Sequence, residues 1–263
     1  MNAYLENMFS LEGKTVVVTG GGQGIGQVIS CGYAKAGAEV VVIGRTLAKC
    51  QQTVDMITAE GGKAYAIEAD VVKEDEVLAA VDQIMKTSGK INILFNCAGI
   101  CMHQTTFEAT AEELRQVMDV NWTGSLLMAR AVAKEMMKNP KDDKGTCGNI
   151  INMASLSATI VNIPQWQVSY NSSKAAVRHM TKSLALEWAE YGIRVNSISP
   201  GYIATPMSMD PSMAMLDQWL PLIPQGRMAD PNELMPAILY LSCSAAGYTT
   251  GDDLLIDGGY SLQ

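Results

Sequence analysis

Histidine is almost absent from this 263-residue chain, which contains only His103 and His179. Neither stands at ligand spacing to a cysteine. The six cysteines (Cys31, Cys50, Cys97, Cys101, Cys147 and Cys243) are scattered and lack close metal-type pairs, so no zinc site is expected. Cys31, Cys50 and Cys97 lie in or beside apolar segments, where a reduced core thiol is the ordinary state. Positive charge is also short, with 19 Lys and Arg against 27 Asp and Glu and a formal net charge of −8. Nucleic acids and anionic membranes require a clustered basic face, so neither is an expected partner. No run of about eighteen apolar residues occurs, which argues against a membrane span. The opening MNAYLENMFSLEG has no basic region followed by an apolar block, so no secretory signal is expected. The expectation is a reduced, cytoplasmic, metal-free protein.

Hydrophobic residues make up 48% of the chain and charged residues 17%, ample material for a buried core. The length allows one large α/β domain or two small ones. Short β-branched runs alternate with helical stretches. The strand candidates are KTVVVTG, AEVVVIG, KAYAIEAD, INILFNCAG, GNIINMAS, IRVNSISPG and DLLIDGG. Helical segments lie between them, among them 47–60, 74–88, 112–138, 172–190 and 231–242. Strands apolar on both faces and separated by helices imply a parallel sheet covered on both sides. No linker or repeat divides the chain, and NPKDDKGTCG reads as a surface loop. The predicted fold is a single Rossmann-like α/β domain over residues 1–263, a doubly wound parallel sheet of about seven strands. Ligands of such sheets bind at the carboxyl ends of the strands.

The first strand runs into Gly20-x-x-x-Gly24-x-Gly26. Glycines there permit a tight turn and let backbone N–H groups approach a pyrophosphate at a helix N-terminus. With Thr19 ahead of this motif, NCAG after the fourth strand, ISPGYIATPM and the closing DGGY, the chain resembles the short-chain dehydrogenase/reductase family along essentially its whole length. One departure is visible, since the family usually has Asn-Asn-Ala-Gly and this chain has Asn96-Cys97. Cys97 then fills a core position beside the cofactor while Asn96 keeps the polar role. The resemblance implies a dinucleotide held by Gly20, Gln23, Gly24, Ile25, Gly26, Asn96, Ala98 and Gly99. It places Asp70 and Val71 beside the adenine, although Asp70 equally reads as a helix cap before KEDEV. Pro200, Gly201, Ile203 and Thr205 would meet the nicotinamide.

The second strand ends in Gly44 and Arg45, where an acid would favour NAD. A guanidinium pairs with a 2′-phosphate, so NADP(H) is the preferred cofactor, with NAD(H) the alternative. The other reading of Arg45 is a plain surface cation.

Tyr170 and Lys174 lie four apart, hence on one helical face. A nearby ammonium is expected to lower the phenol pKa and make an acid–base catalyst. Ser155 follows the fifth strand at the carboxyl edge of the sheet. The resemblance assigns Tyr170 as acid/base, Lys174 to the nicotinamide ribose, Ser155 to polarising the substrate oxygen, and Asn121 to supporting a proton-relay water.

Between Ser155 and Tyr170, the segment with IVNIPQ resembles polyol and sugar reductases of the same family. Ser157, Asn162, Gln165, Gln167 and Met207 are the candidate substrate contacts. Amides suit a substrate with several hydroxyls, or they cap loops and meet water. Against a sugar, Met207, Met209, Met213, Met215 and Trp219 would form an apolar wall suited to a steroid or oxoacyl chain, or simply pack a helix. A polyol/ketose pair is the favoured small-molecule substrate. A dinucleotide sensor without turnover would show a damaged Asn121, Ser155, Tyr170 and Lys174 set, and all four are present. The resemblance implies a homotetramer, with helices 112–138 and 172–190 packing across subunits or against the sheet alone.

Overall fold

Successive side chains of a strand point to opposite faces, so an unbroken apolar run must be covered on both. β1 (Thr15–Thr19) and β2 (Glu39–Gly44) are such runs, buried almost throughout. In the computed structural model, which describes residues 8–206, 208–209 and 215–262, they sit inside a seven-stranded sheet. Its other strands are β3 (Lys63–Glu68), β4 (Ile93–Asn96), β5 (Gly148–Met153), β6 (Ile193–Pro200) and β7 (Asp253–Ile256). The order is β3-β2-β1-β4-β5-β6-β7 and every pairing is parallel. The predicted single doubly wound sheet is therefore the observed one.

Eight α-helices are described: α1 (Gly24–Lys35), α2 (Leu47–Ala59), α3 (Glu74–Ser88), α4 (Ala111–Met118), α5 (Gly124–Met136), α6 (Val168–Trp188), α7 (Leu216–Trp219) and α8 (Met235–Ser242). Alternation along the strands sorts them into two layers. Val16, Val18, Val40 and Val42 pack with Ile29 and Tyr33 of α1, Val54 of α2 and Ile238 of α8. Val17, Val41, Leu94 and Ile150 pack on the opposite face with Ile84 of α3, Val132 of α5 and Val177 of α6.

Two elements differ from the sequence reading. The helix expected over 112–138 is interrupted, because α4 stops at Met118 and Asp119–Thr123 forms a wide π turn before α5. Polar Asn121 lies buried in that turn, which bends the local ladder to seat it. Helix α6 begins earlier than residue 172, so Tyr170 falls in its first turn.

The strand order reverses between β1 and β4, and a crevice opens where their ends diverge. Thr19 Oγ1 ties the two ends by accepting from the N–H groups of Cys97 (3.1 Å) and Ala98 (3.2 Å). Beneath this edge a buried polar chain crosses four elements, β4, α5, β5 and α6. Asn96 Nδ2 donates to the Ser125 carbonyl and to Asn152 Oδ1, and Asn152 Nδ2 donates to Thr181 Oγ1, each at 3.0 Å. Among the described residues, no helix is long and apolar enough to cross a membrane. All six cysteines are free thiols.

Candidate active site

The β1–α1 turn is shaped for close approach. Gly20 has φ +67°, and a Cβ there would stand 2.9 Å from Ala98 Cα and N. A Cβ on Gly26 would run into the Gly20 carbonyl. Any larger residue at either position would fill the cradle. Gln23 occupies the N-cap of α1 without capping it through its side chain, so the leading N–H groups of the helix lack a side-chain acceptor. Its amide oxygen instead accepts from Lys49 Nζ at 2.8 Å.

A cavity of about 560 Å³ extends from this turn along the strand ends. It is lined by Gly20, Gln23, Gly24, Ile25, Gly26, Arg45, Asp70, Val71, Ala98, Gly99, Tyr170, Lys174 and Thr205, which sequence reasoning had singled out. Asn96 is absent from that lining and corrects one expectation. Its side chain is turned into the interior to bond Ser125 and Asn152, so it braces the crevice floor. Asp70 is not a helix cap either. Lys73 precedes α3, and the Asp70 carboxylate accepts from the Val72 N–H in the turn before it, while Asp70 itself faces the cavity.

At the β2 end, neither Arg45 nor Lys49 forms an ion pair with a carboxylate among the described residues. Lys49, in the first turn of α2, escaped the sequence reading, although it lines the same cavity as Arg45. A glycine cradle, an uncapped helix start and two cations without counter-ions together fit the phosphates of a dinucleotide.

A second cavity of about 200 Å³ adjoins the first, and Ile25, Cys101, Met153, Tyr170 and Thr205 border both. Pro200, Gly201 and Ile203 belong to its wall, as do Ser155, Ser157, Asn162, Gln165 and Gln167. The amides hydrogen-bond one another and neighbouring side chains. Ser157 Oγ donates to Asn162 Oδ1 (2.6 Å), and Gln167 Nε2 reaches the same oxygen (3.2 Å). Asn162 Nδ2 donates to the Tyr202 hydroxyl (3.1 Å), which donates to Gln165 Oε1 (2.5 Å). Gln165 Nε2 meets His103 Nε2 at 3.2 Å, and Cys101 Sγ donates to Gln167 Oε1 at 3.3 Å. His103, Cys101 and Tyr202 are site residues that no spacing pattern flagged. Met207 and Met213 lie outside the described residues, and Met209 and Met215 do not line this cavity, where Trp219 does.

Tyr170 and Lys174 lie one turn apart at the head of α6, with Lys174 Nζ 5.5 Å from the Tyr170 ring centroid. Lys174 Nζ donates to the Met153 carbonyl at the end of β5 (2.8 Å). Ser155, two residues beyond that carbonyl, accepts from the Ser157 N–H (3.1 Å), and its side chain shares a cavity wall with the Tyr170 phenol. Asn121 stands behind them. Its Oδ1 accepts from the Ile100 N–H (2.8 Å), and its Nδ2 donates to Ser173 Oγ (2.9 Å), which donates to the Tyr170 carbonyl (2.8 Å). Ser173 is a further link that the sequence did not single out.

The protonation balance differs from expectation. Burial pushes the Tyr170 phenol well above its usual range, and the Ser155 hydroxyl only partly opposes it. Burial also holds Lys174 down to about 8. The same poorly solvated environment disfavours phenolate and ammonium alike, so in the free protein Tyr170 is a protonated phenol. Burial likewise raises the Cys97 and Cys101 thiols to about 12, keeping both neutral beside it.

The Lys174 shift predicts a pH signature. Between about 8 and its ordinary 10.5, the unfolded chain binds a proton at this position that the folded chain has lost. Its contribution to stability therefore grows as pH rises through that window. Lys174→Met should be more stable than wild type at pH 7, with an advantage that shrinks toward pH 10.5. Urea denaturation of both proteins across the window measures the gap, and a constant gap would contradict the shift.

Comparison with known proteins agrees with this geometry. The family described as enoyl-(acyl carrier protein) reductase matches residues 20–261. Galactitol 2-dehydrogenase (L-tagatose-forming) of Cereibacter sphaeroides is 38% identical over 259 residues, covering 97% of this chain and 98% of that protein. A short-chain type dehydrogenase/reductase from Mycobacterium marinum superposes with TM-score 0.92 at 42% identity, over 98% of this chain and 99% of that one. The gluconate 5-dehydrogenase of Burkholderia cenocepacia J2315, crystallised with NADP and tartrate, gives TM-score 0.89 at 31% identity over 98% and 99% of the two chains. The chain belongs to the short-chain dehydrogenase/reductase family, and it is an NAD(P)-dependent oxidoreductase of CH–OH groups.

Proposed function

We propose that the protein interconverts a polyol and its ketose with NADP(H). The observation that carries the reading is the wall of the smaller cavity. Beyond Tyr170 it includes Ser155, Ser157, Asn162, Gln165 and Gln167, amides and hydroxyls set among apolar side chains such as Leu156, Ile203 and Trp219 and suited to a chain of hydroxyl groups. The galactitol dehydrogenase relative supports that substrate class.

In this reading Arg45 and Lys49 hold the 2′-phosphate, and the Gly20–Gly26 turn receives the pyrophosphate on α1. Asp70 and Val71 flank the adenine, Ala98 and Gly99 line the ribose path, and Pro200 to Thr205 contact the nicotinamide. The NADP complex of the gluconate 5-dehydrogenase supports the cofactor choice. When bound, the nicotinamide supplies or accepts the hydride.

Every proton step falls to the chain itself. The Tyr170 phenol gives its proton to the carbonyl oxygen in reduction and recovers it in oxidation. Ser155 holds that oxygen by a hydrogen bond. Lys174 binds ribose hydroxyls with the N–H groups not directed at Met153, and its charge steadies the phenolate once the proton has left. Asn121 pins the Ile100 backbone and Ser173, and so supports the relay behind Lys174. The six free thiols suit a reducing cytoplasmic setting. A homotetramer would use outward residues of α5 and α6, of which Leu186 is 84% exposed.

Reduction of D-fructose, L-sorbose and L-tagatose with NADPH, followed by nicotinamide absorbance, should show turnover of at least one hexulose. Activity confined to steroid or oxoacyl ketones would overturn the substrate reading. Tyr170→Phe should lose about 10²–10⁴-fold in kcat with cofactor affinity nearly unchanged; near wild-type turnover would remove the phenol from its role. Arg45→Ala should weaken NADPH more than NADH in fluorescence titration, and equal weakening would deny the phosphate contact.

A further inference from the structure

The polar wall of the smaller cavity is a hydrogen-bond chain that runs in one direction. Cys101 Sγ donates to Gln167 Oε1, Gln167 Nε2 to Asn162 Oδ1, and Asn162 Nδ2 to the Tyr202 hydroxyl. That hydroxyl gives its proton to Gln165 Oε1, which leaves Gln165 Nε2 to meet His103 Nε2 at 3.2 Å. An amide nitrogen only donates, and a neutral imidazole has one donor and one acceptor nitrogen. His103 Nε2 is therefore the acceptor that ends the chain, and the ring proton sits on Nδ1.

Other contacts hold this direction. Ser157 Oγ donates to the same Asn162 oxygen (2.6 Å), and Gln167 Nε2 also donates to Asn171 Oδ1 (2.9 Å). The His103 end is fixed through the backbone. The Gln104 N–H donates to the Trp166 carbonyl at 2.8 Å, which ties the segment of His103 to the one carrying Gln165 and Gln167. The ring is partly buried and belongs to the cavity wall. Which atom of each amide remains for a ligand depends on which atom the chain uses, so its terminal group sets the pattern of the whole wall.

We infer that His103 is a positioning residue for the substrate: its unprotonated Nε2 sets the direction of the chain and so the donors and acceptors that the wall offers to hydroxyl groups. The inference rests on the polyol–ketose reading of this cavity. A protonated ring carries N–H on both nitrogens and confronts the Gln165 N–H with a second donor. The chain then has to reverse, against Ser157 and Asn171, or open between Gln165 and His103. Burial keeps the ring below its ordinary 6.5, with Gln167 partly opposing, so the acceptor form prevails at neutral pH. The neighbouring groups do not titrate where His103 does. Burial raises the Cys101 thiol to about 12 and the Tyr170 and Tyr202 phenols above their usual range. Glu113, which accepts from Gln104 Nε2, is held below the ordinary carboxylate range by hydrogen bonds from Thr110. Lys174, at about 8, stays an ammonium below neutrality.

The test follows reduction of a hexulose, which does not itself titrate, at saturating NADPH. From about pH 7 to about pH 5.5 its KM should rise about fivefold, with kcat within about twofold. His103→Gln supplies an amide oxygen that cannot be protonated, so its KM should stay level over that interval. His103→Phe, without an acceptor, should raise KM throughout. A level wild-type profile, or a rise that persists in His103→Gln, would reduce His103 to a packing role and overturn the inference alone. Should the variants fold poorly, nitrogen NMR of the two histidine rings of the wild type, His103 and His179, reads the same point. His103 should carry its proton on Nδ1 at neutral pH, and a proton on Nε2 would overturn the inference. Reduction of 1-hydroxy-2-hexanone with no turnover of any hexulose would overturn the polyol reading together with it.

Discussion

A buried ammonium governs the arrangement of the cleft. Lys174 is 3% exposed, and among the described residues no carboxylate pairs with it. Removing such a charge from water costs several kcal/mol even after relaxation, so the surrounding structure has to offset it. The Met153 carbonyl does part of this by accepting from Nζ, which locks the head of α6 to the end of β5. Ser155 lies two residues beyond that carbonyl, and Tyr170 shares the helix, so both take their places from the same contact. Asn121 and Ser173 then extend it toward the π turn.

The cofactor end shows the opposite electrostatic situation. The whole chain carries a formal charge of −8, yet Arg45 and Lys49 stand at the cavity without acidic partners among the described residues. A lone surface cation in an acidic protein would ordinarily have counter-ions within reach. Holding two of them open beside an uncapped helix start concentrates positive potential at one end of the crevice. Lys49 hydrogen-bonds Gln23, so the glycine turn and the β2 end are joined by a neutral contact that leaves the ammonium charge intact.

The strands were legible because their valines and isoleucines permit little else, and Tyr170 with Lys174 because their spacing fits a helix face. Ser155 followed from its place after a strand. Other features depend on tertiary contacts that no local pattern carries. Asn96 was expected to face the cofactor, but its partners Asn152 and Ser125 lie 56 and 29 residues away. The direction of the Tyr170 shift was missed because burial, which a sequence does not display, outweighs the nearby lysine. Asn162, Gln165 and Gln167 were recognised as amides near a pocket, whereas their mutual bonding through Tyr202 required residues from beyond β6.

The wide turn at Asp119–Thr123 has a geometric consequence beyond seating Asn121. Val117, Asn121, Ser125, Ala129 and Ala133 are all buried, a repeat of four residues. At 3.6 residues per turn such a repeat drifts by about 40° at each step, and an uninterrupted α-helix would rotate its later members away from the sheet. Local widening to a π turn takes up much of that drift. Ser125 Oγ, donating to the Asn121 carbonyl at 2.7 Å, helps close the widened loop. The turn works as a phase corrector. It lets the helical run present Asn121 to Ile100 and Ser173 and, further along, present Ala129 and Ala133 to the core.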